Sequence, residues 1–280
     1  MVFTHLIVPL ERIFHIQQIT AVHRHSFFLY LLTLFLTVFP GSSLAQQDGL
    51  KAMRNAVPGT YDFWIYAPAG SEVGEPLPLV VFLHGASLCG NDLNRVLRYG
   101  PLDAVKRGVD LQAVVVAPQN SGGQWNTEKI DCLLEWTLDN YNTDPARVYV
   151  LGMSLGGYGT LDFCALYPEK VAAAMALCGG TTLREYDGLE DVPLWIIHGT
   201  GDSAVPVSES QKIVDHLREN HLDSRLRYDW LPGGSHGEPS RYFYLPKTYE
   251  WLFAHSLRDR GRPLNRKITI SRDELRDAFR

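Results

Sequence analysis

Apolar positions along the chain gather into short unbroken runs. Leu79–Leu83 (LVVFL), Ala113–Ala117 (AVVVA), Val148–Leu151 (VYVL), Val171–Leu177 (VAAAMAL) and Leu194–Ile197 (LWII) are apolar at every position. A strand with one wet face alternates apolar and polar residues. Runs this short and continuous instead predict strands covered on both faces, as in a parallel sheet between helix layers. Tyr61–Tyr66 and Leu226–Leu231 add an early and a late strand. Between the runs lie segments with helical spacing. Thr127–Tyr141 has Ile130, Leu133, Leu134, Trp136 and Leu138 at helical offsets. Leu155–Tyr167, Ser208–Glu219 and Lys247–His255 follow the same pattern. Strand and helix alternate without an internal repeat or a low-complexity linker, which predicts one α/β domain.

The two ends read differently. Phe27–Phe39 (FFLYLLTLFLTVF) is apolar apart from two threonines, follows His23-Arg24-His25 and precedes Ser43-Leu44-Ala45. A basic flank, an apolar run shorter than the ~20 residues of a membrane span and a small-x-small site predict a secretory signal. Residues 1–45 are therefore expected to be a signal peptide with an extended leader, removed after Ala45 and leaving no membrane span. Residues 46–262 form the expected catalytic domain and 263–280 a tail. Within the tail, Ile268–Ile270 reads as a short strand, and Ser271-x-x-Glu274 as a capping box opening a final helix.

Composition narrows the function classes. The 280 residues carry a net charge of -5, and no basic stretch is interleaved with aromatics, so a nucleic-acid partner is not expected. Oligomeric state is not readable. Four cysteines follow the leader. Cys164 and Cys178 lie in apolar runs and read as buried small hydrophobes, whereas Cys89 and Cys132 are the more plausible disulfide pair in an oxidising compartment. No CxxC or HExxH spacing occurs, so neither a metal site nor a cofactor is expected.

The chemistry concentrates at the ends of the strand runs. "LGMSLGGYGT" (151–160) sets Ser154 between Gly152 and Gly156, with a strand before it and a helix after it. This is the context of a nucleophile elbow, in which a tight turn projects the serine oxygen from the sheet edge. A serine needs a base. His236 lies in "PGGSHGE", a glycine-rich loop between the last strand and the last helix of the domain. His84 and His198 each follow a strand and precede a glycine, and His84 reads as a loop-shaping residue. The base needs an acid to orient it. Asp202 lies just past a buried strand in "LWIIHGTGDSAVP". The order Ser154, Asp202, His236 is that of α/β-hydrolases. Two backbone N–H groups would receive an oxyanion: Leu155, after the nucleophile, and Ala86 in the loop following LVVFL, with Ser87 as the alternative.

The pieces "VVFLHGAS", "RVYVLGMSLGGYGT", "HGTGDSAVP" and "GGSHGE" resemble the α/β-hydrolase superfamily. Within it they resemble single-domain carboxylesterases grouped with phospholipase/carboxylesterase, feruloyl-esterase-like and prolyl-oligopeptidase catalytic domains. The likeness runs over about residues 55–256. It implies a mostly parallel eight-stranded sheet with helices on both faces and the triad Ser154, Asp202 and His236. It also implies pocket residues at Gln119 and Trp125. Only a short segment separates Cys178 from Pro193, where lids are commonly inserted, so no lid domain is expected. The resemblance thus implies a secreted or periplasmic serine esterase, open to small-molecule or carbohydrate-linked esters such as acetyl or hydroxycinnamoyl esters. The rival readings are a small-peptide peptidase or acyltransferase on the same fold, and a catalytically silent binding protein.

Overall fold

A computed structural model describes residues 49–278. The expected signal peptide lies outside these residues. Eight strands form one sheet: β1 (Leu50–Met53), β2 (Phe63–Tyr66), β3 (Leu77–Leu83), β4 (Val114–Pro118), β5 (Thr143–Met153), β6 (Ala173–Leu177), β7 (Leu194–Gly199) and β8 (Leu226–Leu231). Their spatial order is β1-β2-β4-β3-β5-β6-β7-β8. The β1–β2 and β2–β4 pairs are antiparallel, and every pair from β4–β3 to β7–β8 is parallel. β1 was not expected from the sequence. It is an edge strand whose Lys51 and Ala52 are exposed, so it lacks the apolar run that marked the others.

Period-two geometry sends alternate residues of the central strands to opposite faces. Val80, Phe82, Tyr149 and Leu151 enter one core cluster, with Val105 from α1 (Pro101–Lys106) and Trp251 from α5 (Pro246–Phe253). Leu79, Val81, Val148 and Val150 enter the other. That second cluster takes in Leu133 from α2 (Thr127–Asn140), Phe163 from α3 (Leu155–Leu166) and Ile213 from α4 (Ser208–Glu219). Each such side chain contributes about 1.5–3 kcal/mol when fully buried, so both faces of the sheet hold the fold. The helices thus cover both faces, as the continuous apolar runs predicted.

The tail is built into this core rather than trailing from it. Leu275 of α6 (Arg272–Asp277) is 4% exposed and packs in the first cluster. Ser271 caps α6 and forms the expected capping box with Glu274. Ile268–Ile270, in contrast, is not a strand. Its apolar side chains pack on the core, and the Arg227 side chain takes the Ile268 carbonyl that a ladder partner would have used. Between β6 and β7 the chain forms only a 3₁₀ turn, Asp187–Asp191, so no lid domain is inserted there. All four cysteines are free. The expected Cys89–Cys132 bridge does not form, because Cys132 faces solvent from α2 while Cys89 is half-buried in the loop after β3. Among the described residues, no helix is long and apolar enough to cross a membrane.

Candidate active site

Ser154 joins the end of β5 to the start of α3. Its backbone sits at φ 57, ψ -122, in a region that residues with a side chain rarely occupy. The neighbouring chain makes this turn obligatory. A Cβ on Gly156 would fall 1.8 Å from the Leu83 carbonyl oxygen. One on Gly152 would fall 2.3 Å from the Gly156 carbonyl oxygen. Only glycines allow strand and helix to approach this closely. The Ser154 N–H donates to the Leu177 carbonyl at 2.8 Å, tying the turn to the end of β6.

Asp202 and His236 come from loops following β7 and β8, which are laced together. The Gly201 N–H donates to the Gly234 carbonyl at 2.9 Å, and the Gly233 N–H to the Thr200 hydroxyl at 2.7 Å. This lacing brings His236 Nδ1 to 2.6 Å from Asp202 Oδ2. The Asp202 side chain has no exposed surface, whereas that of His236 is 26% exposed. Asp202 Oδ1 accepts from the N–H groups of Ala204 at 2.8 Å and Val205 at 2.9 Å. Burial pushes the Asp202 pKa up, but the His236 hydrogen bond and these two N–H donors outweigh it and hold the carboxyl below its usual range. An ionised Asp202 fixes the hydrogen on Nδ1 and leaves Nε2 as the basic face. Among the described residues no hydrogen bond joins Ser154 Oγ to Nε2. Such contacts are often long until substrate is bound.

Ala86 opens a 3₁₀ turn (Ala86–Leu88) directly after β3, and Leu155 is the first residue of α3. Their N–H groups lie in first turns, where a helix has no internal acceptor for them. The Ser87 carbonyl is held by Arg95 at 2.7 Å. The segment between β3 and this turn is braced from below. His84 is fully buried, and its Nε2 accepts from the Asn120 N–H at 3.0 Å, so its hydrogen sits on Nδ1 and donates to the Gly85 carbonyl at 2.8 Å. Burial lowers its pKa to about 4, which suits a neutral structural imidazole.

Gln119 and Trp125 stand under the same loop. Gln119 Nε2 donates to the Leu88 and Asp92 carbonyls at 3.2 Å and 2.7 Å. Trp125 is 5% exposed, donates from its indole N–H to the His84 carbonyl at 3.2 Å and meets Tyr61 edge-on. Both therefore reach the backbone of the segment that follows β3.

One residue near the serine was not legible in the sequence. The Tyr99 hydroxyl accepts from the Gly85 N–H at 2.7 Å. A Cβ on Gly85 would lie 2.9 Å from that hydroxyl and 3.2 Å from Ser154 Cβ, so Tyr99 borders the surroundings of Ser154. It lies in no periodic segment, and only the fold brings it here. Ligand atoms of Cys178, Asp202 and His236 also fall within 4.8 Å of one another. The chemistry of this trio is poor for a metal. Burial raises the Cys178 thiol pKa, and the hydrogen on His236 Nδ1 already occupies Asp202.

Comparison with known proteins agrees with this architecture. Residues 113–241 match the Dienelactone hydrolase family. Acetylxylan esterase A of Aspergillus ficuum is 31% identical over 179 residues, covering 61% of this chain and 58% of that protein. The chain spans less than two thirds of the curated relatives it matches. A thermostable esterase structure aligns with TM-score 0.63 and 28% identity, over 75% of this chain and 64% of the other. The feruloyl esterase module of Clostridium thermocellum, complexed with sinapinate, aligns with TM-score 0.54 and 15% identity, over 74% and 90%. The chain has the α/β-hydrolase fold.

Proposed function

We propose that the protein is a secreted serine esterase that cleaves small acyl groups, acetyl or hydroxycinnamoyl, from carbohydrate-linked esters. The observation that carries this reading is the 2.6 Å Asp202–His236 pair at the same sheet edge as Ser154 in its positive-φ turn. His236 Nε2 takes the Ser154 proton as Oγ attacks the ester carbonyl. Asp202 stays ionised and stabilises the imidazolium. The N–H groups of Leu155 and Ala86 receive the oxyanion. His236 then protonates the departing alcohol, and water attacks the acyl-enzyme by the same route in reverse. Gln119 and Trp125 serve the pocket from behind, holding the oxyanion segment in place.

The substrate class draws support from two directions. The relatives named acetylxylan esterase act, by those names, on an acylated polysaccharide. The short β6–β7 connection leaves the serine side uncapped, which suits an acyl group on a bulky carrier. The apolar run before Ala45 supports secretion.

A panel of p-nitrophenyl acetate, butyrate and long-chain esters, methyl ferulate, acetylated xylo-oligosaccharides and aminoacyl-p-nitroanilides tests the proposal. Turnover concentrated on the acetyl, feruloyl and xylo-oligosaccharide substrates is expected. Preference for long-chain esters or anilides would overturn the substrate assignment.

A further inference from the structure

His198 stands behind the acid of the triad. It is the last residue but one of β7, is fully buried and lies four positions before Asp202. Its Nε2 is 3.2 Å from Asp202 Oδ2, the oxygen that also receives His236 Nδ1. The same Nε2 lies 3.0 Å from the Val205 carbonyl. Both neighbours are acceptors, so the ring carries a hydrogen on Nε2. With that tautomer Nδ1 is an acceptor, and the single Ser210 hydroxyl hydrogen on α4 is shared between Nδ1 at 2.8 Å and the Gly179 carbonyl at 2.6 Å. Ser210 is itself fully buried. The arrangement runs from His236 through Asp202 to His198 and Ser210, and its Ser210 end meets the Gly179 carbonyl.

We propose that His198 is a positioning residue for Asp202 and sets the basicity of His236. This deepens the esterase reading and, as a statement about catalysis, rests on it. Asp202 accepts from His236 on Oδ2 and from two N–H groups on Oδ1, and the His198 Nε2–H that bonds the Val205 carbonyl also lies 3.2 Å from Oδ2. Its charge thus faces a second imidazole N–H edge beside its three hydrogen-bond donors. A carboxylate whose charge is partly drawn to a second imidazole stabilises the His236 imidazolium less. Removing the His198 donor returns that charge to His236 and makes it a stronger base. Any positive charge on His198 would act in the same direction, because like charges repel.

The other titratable groups near this pair do not supply the effect. The Cys178 thiol, on the β6 side, is held neutral by a raised pKa. Glu209 of α4 is committed to Lys212 at 2.8 Å and to the Tyr158 hydroxyl at 3.2 Å. Glu238 follows the His236 loop, its Oε2 3.0 Å from where a Cβ on Gly234 would lie. Burial lowers the His198 pKa against the opposing pull of Val205 and Asp202, consistent with a neutral N–H donor near neutral pH.

The test compares the wild type with His198→Phe and His198→Gln, following the His236 imidazole by NMR titration and, separately, kcat/KM for p-nitrophenyl acetate against pH. His198→Phe, which keeps a planar ring but no donor, is expected to raise the His236 pKa and the acid limb of the profile by about one pH unit. His198→Gln, with an amide donor, should return both toward wild type. A His236 titration unchanged in His198→Phe would overturn the proposal, even if activity fell. Should that variant not fold, the wild-type long-range ¹H–¹⁵N spectrum decides: hydrogen on His198 Nε2 supports the proposal, and a bare Nε2 overturns it. Absence of esterase turnover in the wild type would instead contradict the esterase reading, leaving the NMR result to judge the His198–Asp202–His236 coupling on its own.

Discussion

The turn at Ser154 and the two loops carrying Asp202 and His236 meet at one sheet edge but are held by different forces. The turn is fixed by contact. Gly152 and Gly156 let backbone oxygens approach to distances that no Cβ could survive, and Ser154 is forced to φ 57. The loops are fixed by hydrogen bonds, with the Gly201–Gly234 and Thr200–Gly233 links between them and a buried carboxylate at their centre. Damage should therefore look different on the two sides. A change in the turn's frame costs stability at every pH, whereas a change among the polar groups of the loops costs activity and makes any stability loss depend on pH.

Removing the nucleophile has the largest expected effect. Ser154→Ala should lower kcat by about 10⁶ while leaving the thermal midpoint near wild type. On the loop side, Asp202→Asn should lower kcat by about 10⁴, because the wrong His236 tautomer is then favoured. The same variant tests the electrostatics. A carboxyl whose folded pKa is depressed adds stability above its unfolded pKa, and that contribution is lost as pH falls through the folded value. Denaturant melts should therefore show a stability gap between wild type and Asp202→Asn at pH 7 that narrows in acid. A gap that widens would contradict the ionised-carboxylate account.

Gly156→Ala probes the other side. Its new Cβ meets the Leu83 carbonyl, a backbone atom that cannot swing aside, so a loss of about 3 kcal/mol is expected in a denaturant melt. Retention of wild-type stability would mean that the turn is held by something other than steric fit. The smallest effect belongs to the cap of α6, a helix that lines a cavity together with Ser235 and Gly237. Ser271→Ala removes the α6 capping box and should cost about 1 kcal/mol without changing kcat.

How much of this was legible in the sequence follows the same division. The central strands were readable because a strand buried on both faces must be apolar at every position. β1 was not readable, since as an exposed edge it carries no such run. Ser154, Asp202 and His236 could be singled out because each follows a strand in a short recognisable motif. The partners that tune them could not. Tyr99 reaches Gly85 through tertiary packing, and the contact of His198 with Asp202 depends on how a loop folds back on itself. The Cys89–Cys132 pairing failed for a related reason, because cysteine polarity says little about which way a thiol points. Ile268–Ile270 carried strand-like residues, but its carbonyl went to Arg227 and its side chains to the core.

The central claim is that Ser154 forms a covalent acyl intermediate under the control of His236. Intact-mass and peptide mass spectrometry after brief acid quench from p-nitrophenyl acetate tests it most directly. The account predicts an acetyl adduct on the peptide bearing Ser154, absent in Ser154→Ala and strongly diminished in His236→Ala. Esterase turnover with no adduct on that peptide, or an adduct that persists in Ser154→Ala, would contradict it.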